Sequence, residues 1–199
     1  MKRVFDGKVA AKIFLICLIF VLLLGTQSIK AREIGGIAVP ESVTINNKLL
    51  VLNGAGIRKK LFMKIYVGAL YLTVKQSNVS QILADPRAKR ITMSFLYKEV
   101  SAERQVEGWN KGFRDNNSAE ELEKLQDRIN QFNLLFTVVR RGDVIRLDYM
   151  PEEGTHVWIN DTLRGTIPGE DFYQALLKIW LGPKPAEEEL KDAMLGKTH

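Results

Sequence analysis

The chain is poor in the residues that build metal sites and covalent cross-links. Its 199 residues include one cysteine and two histidines. That count excludes a disulfide framework and a cysteine-rich zinc site. His156 is internal and His199 terminal, with no cysteine to assist them, so no metal-ligand cluster is expected. His156, next to Val157 and Trp158, reads as a strand-face histidine. A Ser-His-Asp triad could draw only on this residue, and no Gly-x-Ser-x-Gly occurs. The glycine-rich Asn53-Gly54-Ala55-Gly56 is not followed by Gly-Lys-Ser/Thr, and the third glycine of a dinucleotide fingerprint is missing. Neither cofactor nor metal is expected. A composition of 46% hydrophobic and 26% charged residues also excludes wholesale disorder, collagen and coiled coil.

The charge balance is +6 with a pI near 9.4, which at face value points to an acidic partner. The N-terminus changes that reading. Lys2, Arg3, Lys8 and Lys12 precede the twelve-residue apolar run Ile13 to Leu24, and a polar stretch then ends at Ala31. This is the layout of a secretory signal peptide, expected to be cleaved after Ala31. An uncleaved anchor is the rival, but the run falls short of the roughly 20 apolar residues of a membrane span. Cleavage removes Lys2, Arg3, Lys8, Lys12, Lys30 and Asp6, and leaves 24 basic against 22 acidic residues. It also removes Cys17, which lacks the preceding small residue of a lipidation site. A 168-residue mature chain without cysteine suits an oxidising compartment such as a periplasm, or secretion. The basic groups Arg58-Lys59-Lys60, Lys89-Arg90 and Arg140-Arg141 are scattered and read as solvated strand ends. No nucleic-acid partner is expected, and membrane contact only through the N-terminal segment.

Residues 32–199 contain no repeat and no long linker, so one domain is expected. Short strands are expected at 37–39, 43–45 and 49–58, with a turn at Asn46-Asn47. Residues 60–73 alternate as a longer strand, and 89–97 and 144–149 alternate likewise. Asn78 or Ser77 caps a short helix ending near Ala84. Ser101 caps a helix with apolar face Ala102, Val106, Trp109 and Phe113, and Ser118 with Glu121 forms a capping box. A hairpin turns at Asn160-Asp161, a widely apolar helix runs from about Glu170 to Leu181, and a short helix closes the chain. Such an order predicts an α+β fold, with an antiparallel sheet and helices on one face.

The chemistry concentrates on Gly54-Ala55-Gly56-Ile57-Arg58. Two glycines let a ligand or another backbone approach, and Arg58 beside them places a permanent cation at the mouth of a cleft. Alternatively, Arg58 is structural and bonds carbonyls at a bulge. The motif continues into Phe62 through Leu72. With the late helix Phe172 to Gly182 and the closing segment Pro185 to Gly196, it resembles the chalcone isomerase family, and most of all its bacterial, secreted chalcone isomerase-like branch. That resemblance implies an open-faced β-sandwich with a cleft between sheet and helices, headed by Arg58. It further implies one of two chemistries. Plant enzymes of the family close a ring across an enone, with the arginine stabilising the enolate. Plastid relatives hold a fatty-acid carboxylate with the arginine and a tyrosine. Carried over by residue, the arginine is Arg58 and the threonine position is Tyr66. The tyrosine position is Ser101, the lysine position Arg104 and the asparagine position Gly108. Three of the four polar groups of the cyclase therefore differ.

The favoured expectation is a binder of a small apolar ligand with an anionic head, fatty-acid-like, on Arg58, with Tyr66, Tyr97, Ser101 and Arg104 as further contacts. An isomerase or intramolecular lyase is the alternative, with Arg58 as oxyanion stabiliser and Tyr66 or Tyr97 as acid or base. An assembly factor docking through the charged 114–128 helix face is a third reading. A ligand site requires a cavity of roughly 300 Å³ or more headed by Arg58. The oligomeric state and the ligand's identity stay open.

Overall fold

The computed structural model describes residues 30–197. The expected leader therefore lies outside the described residues, apart from Lys30 and Ala31. Strands β1 (Ala31–Ile34) and β2 (Ile37–Pro40) form a separate hairpin. Strands β3 (Ser42–Ile45), β4 (Lys48–Lys60) and β5 (Met63–Leu72) lead into helix α1 (Val79–Ala84) and strand β6 (Lys89–Phe95). The short β7 (Glu99–Val100) precedes helices α2 (Ala102–Asn116) and α3 (Ala119–Asn133), and β8 (Val139–Arg140) pairs back on β7. Strands β9 (Val144–Met150), β10 (Gly154–Ile159) and β11 (Thr162–Ile167) are followed by α4 (Glu170–Leu181) and α5 (Glu188–Met194). The main sheet is antiparallel, with seven strands in the order β11-β10-β9-β6-β5-β4-β3. The fold is α+β, as the order of elements predicts.

Alternation along β5 separates two cores. Tyr66, Leu70 and Leu72 face the helices, while Val67, Ala69 and Tyr71 face a smaller cluster with Val39 and Leu52. The second face is thus partly covered by the β1–β2 hairpin. Helix α4 is buried on nearly every side, including Phe172, Leu176, Leu177 and Trp180. Its wide apolar stripe reflects a position between the sheet and α2.

Two local expectations are corrected. Leu61 and Phe62 do not belong to a strand: β4 ends at Lys60, β5 starts at Met63, and Leu61 turns with φ 55°. Alternation continues through such a turn, so periodicity alone misses the reversal. The buried stripe of α2 is Gln105, Trp109, Phe113 and Asn116, not Ala102 and Val106. Gln105 is tolerated inside because its amide nitrogen donates to the carbonyls of Thr137, Val100 and Ser101 at 2.7, 3.2 and 3.3 Å.

The glycines of the β4 motif seat a helix rather than a ligand. A Cβ on Gly54 would lie 2.0 Å from the carbonyl oxygen of Ala193, and one on Gly56 would lie 2.7 Å from the Ala193 Cβ. On the neighbouring strand, a Cβ on Gly68, the register partner of Gly56, would meet Met194 Cε at 2.8 Å. Helix α5 lies on this smooth strip and buries Leu190 and Met194. Asn53 Nδ2 donates to the Met194 carbonyl at 2.7 Å and fixes the end of the helix.

Candidate functional site

Register shifts between Arg58 and Lys59 mark a bulge near the end of β4. A bulge redirects the side chains beside it. Arg58 stands opposite Tyr66 on β5, with its guanidinium carbon 5.6 Å from the tyrosine ring centroid. Among the described residues Arg58 has no carboxylate partner, and its Nε is buried without a hydrogen-bond acceptor. The structural alternative of carbonyls satisfied at a bulge therefore explains the position but not the side chain.

Arg58 and Tyr66 line a cavity with Arg104, Gln105, Gly108 and Trp109 of α2. Met93 and Phe95 of β6, Ile179 of α4 and Ala186 complete its apolar wall. The mouth is basic, because Arg104 is exposed and Arg58 half-buried. The floor is aromatic: Trp109 packs against Phe132, Phe136 and Trp180 with ring centroids 5.6, 5.2 and 5.8 Å apart.

Tyr66 is 3% exposed. Its Oη accepts from Trp180 Nε1 at 3.0 Å, which leaves its own proton available for donation. Burial pushes its pKa up, and the Arg58 guanidinium and the Trp180 N–H pull it only part-way back. The phenol is thus protonated at neutral pH, a hydrogen-bond donor rather than a base. Trp109 Nε1 is a second buried donor without an acceptor, and Gln105 Oε1 is a buried acceptor without a donor. Residues lining one small space therefore carry three donors and one acceptor that the described residues leave free. Buried polar groups are ordinarily paired, so this cluster is suited to a polar head that arrives from outside.

The cavity measures about 70 Å³, well below the expected 300 Å³. One water needs roughly 10–15 Å³ of such space, so there is room for a carboxylate-sized head with a few waters and not for a long chain. Tyr66, Phe95 and Trp109 supply the cavity's aromatic walls.

The expected site residues divide into two sets. Arg58, Tyr66 and Arg104 meet at the cavity, as does Gly108, where an added Cβ would touch nothing within 4 Å. Ser101 does not line it: its Oγ accepts from Arg104 N at 3.4 Å and caps α2. Tyr97 lines a different groove, with Met63, Lys64 and Arg141. Gln105, Trp109 and Trp180 stand at the site in addition to the expected residues. The only sequence signal for Gln105 was a polar residue one helical turn before Trp109.

The chain matches the chalcone isomerase-like family over residues 31–196. It belongs to that family. A search of curated proteins finds no match. Among solved structures, the fold is similar to the crystal structure of an Arabidopsis thaliana fatty-acid binding protein. The TM-score is 0.64 at 15% identity, over 83% of this chain and 96% of that one. The matched residues begin where β1 begins.

No group of three or more metal-ligating side chains occurs among the described residues. Nor is any helix among them long and apolar enough to cross a membrane.

Proposed function

We propose that this chalcone isomerase-like protein is a non-enzymatic binder of a small apolar ligand with an anionic, carboxylate-like head, which Arg58 anchors. The observation that carries the reading is Arg58 itself. A guanidinium lines an apolar cavity with no carboxylate partner among the described residues and a buried, unbonded Nε. Tyr66 and Trp109 add neutral donors, and Arg104 adds charge at the mouth. The fatty-acid binding protein with the same fold supports a ligand of this class. An acyl tail requires the α2 side of the cavity to open, since about 70 Å³ admits only the head. The N-terminal signal layout supports action in the periplasm or outside the cell after cleavage.

The isomerase alternative has weaker support. Arg58 could stabilise an enolate, but the threonine and asparagine positions are Tyr66 and Gly108, so the hydroxyl network that orders a cyclase's water is reduced. The buried Tyr66 phenol is a poor base. The third reading, docking through the 114–128 face, loses charge to internal pairing: Asp115 bonds Lys111, Glu120 bonds Lys124 and Glu121 bonds Lys178.

Native mass spectrometry of the protein purified from its own host tests the proposal. We expect a co-purifying acidic lipid that Arg58→Met loses while the fold is kept. Equal ligand content in wild type and variant overturns it, and chalcone turnover abolished by the same change favours the enzyme.

A further inference from the structure

The β4–β5 hairpin ends in a tip that the binding site does not use. Leu61 is 83% exposed, Phe62 fully exposed and Met63 39% exposed. Single exposed apolar residues are common on soluble proteins, but three in succession at a protrusion are not explained by packing. The turn chemistry is also unfavourable. Leu61 adopts φ 55°, a left-handed conformation that costs a bulky residue energy and that glycine or asparagine accepts readily. The β3–β4 turn of the same sheet uses Asn46 and Asn47 at φ 43° and 62°. Residues that suit the fold are therefore used at one turn and residues that suit an apolar partner at the other.

The tip segment itself carries one sign of charge. Residues 58–64 contain Arg58, Lys59, Lys60 and Lys64 and no acidic residue. Lys59 is bonded to Glu189 at 2.8 Å. Lys60 and Lys64 are exposed and have no ion pair among the described residues. Beside the tip, Lys64 and Arg141 line one groove of about 370 Å³ with Met63, Leu96 and Tyr97. Lys98 sits next to Arg141, whose backbone N–H donates to the Lys98 carbonyl at 3.2 Å. The acidic groups of this edge are paired: Glu99 with Arg140, Asp143 with the Arg140 N–H and with Asn160, and Glu187 with the Lys59 N–H.

We propose that the Leu61–Met63 tip is a membrane-docking element that inserts its apolar side chains between anionic lipid headgroups, which Lys60, Lys64, Lys98 and Arg141 contact. An apolar tip flanked by cations that have no ion pair among the described residues matches a surface that is apolar below and negative above. This differs from contact through the N-terminal segment alone. Because the tip lies a few residues beyond Arg58 on the same hairpin, docking holds the Arg58 side of the cavity close to lipid.

The test uses residues 30–199, which hold every described strand and both cores and omit the apolar run 13–24 that would bind lipid independently. Sedimentation is compared with vesicles of phosphatidylcholine alone and of phosphatidylcholine mixed with anionic phosphatidylglycerol. Binding is expected to the anionic vesicles and to weaken with salt. Leu61→Ser with Phe62→Ser, and separately Lys60→Gln with Lys64→Gln, should each weaken it by roughly tenfold or more. These side chains are exposed, so circular dichroism should be unchanged. Absence of vesicle binding overturns the proposal, as does binding that either pair of substitutions leaves intact. A dimer in light scattering that Phe62→Ser dissociates, without vesicle binding, overturns it in favour of a second copy. The assay does not involve the cavity ligand, so its failure leaves the Arg58 reading standing.

Discussion

Gly56→Ala and Gly54→Ala look alike in sequence but should behave differently. The Cβ of alanine at position 56 would meet another Cβ, that of Ala193, at 2.7 Å. Overpacking of this kind costs about 1–3 kcal/mol. The obstruction is a side chain, so Ala193→Gly should remove it. Glycine inside α5 costs about 1 kcal/mol by itself. The Gly56→Ala/Ala193→Gly chain should therefore sit only about 1 kcal/mol below wild type, and the two changes should couple by about 1–3 kcal/mol. At position 54 the new Cβ meets backbone: the Ala193 carbonyl oxygen at 2.0 Å, the Gly196 nitrogen at 2.9 Å and the Met194 carbonyl oxygen at 3.0 Å. No side-chain change relieves those contacts, and α5 must lift. If Leu190 and Met194 lose their burial, the cost reaches about 3–6 kcal/mol, from about 1.5–3 kcal/mol for each side chain. Urea unfolding of the wild type, the three single variants and the two double variants measures these differences. Additivity of Gly56→Ala and Ala193→Gly, or rescue of Gly54→Ala by Ala193→Gly, would refute the claim that the glycine strip exists to seat α5.

Two further predictions concern pH. Lys178 and the Ser118 N–H hold the Glu121 carboxyl well below its ordinary 4.5, at about 2. A depressed folded-state value stabilises the protein above about pH 4.5, and that contribution disappears as pH falls towards 2. Glu121 is half exposed and screened, so Glu121→Gln should cost no more than about 1 kcal/mol at neutral pH; urea midpoints of the two proteins should converge in acid, and a gap that persists there contradicts the assignment. At the alkaline end, burial raises Tyr66 and Tyr173, and raises Tyr71 to about 12. Stability from these groups is present below their ordinary value of 10 and disappears as pH rises past it towards the folded-state values. Ultraviolet titration should show these three ionising together with unfolding, and their reversible ionisation near pH 10 in the folded chain would refute it.

Much of the architecture is local enough to read from the chain. Asn78, Ser101 and Ser118 cap α1, α2 and α3 as expected, because a cap is a contact between residues three apart. Alternation placed Val67, Ala69 and Tyr71 on one face of β5 and Tyr66 and Leu70 on the other. The failures occur where periodicity ignores neighbours. Residues 60–73 alternate through a turn, and the buried stripe of α2 includes Gln105 because three carbonyls from two segments accept from its amide nitrogen. The candidate site divides on the same line. Arg58 and Tyr66 are cross-strand partners in one hairpin, so both could be picked out from one stretch of sequence. Trp109 and Trp180 arrive on helices distant in the chain, and the polarity each contributes to the site depends on how those helices pack.

The sequence by itself determined the element types, their caps, the poverty in metal-ligating residues and the arginine beside the glycine strip, since each depends on residues a few positions apart. Only the tertiary structure decided what the glycines serve, which polar atoms lack partners and how much space remains beside Arg58. Those are properties of distant segments brought into contact: α5 on β4, α2 over β5, and the side chains of α2 and β5 that line a cavity of about 70 Å³.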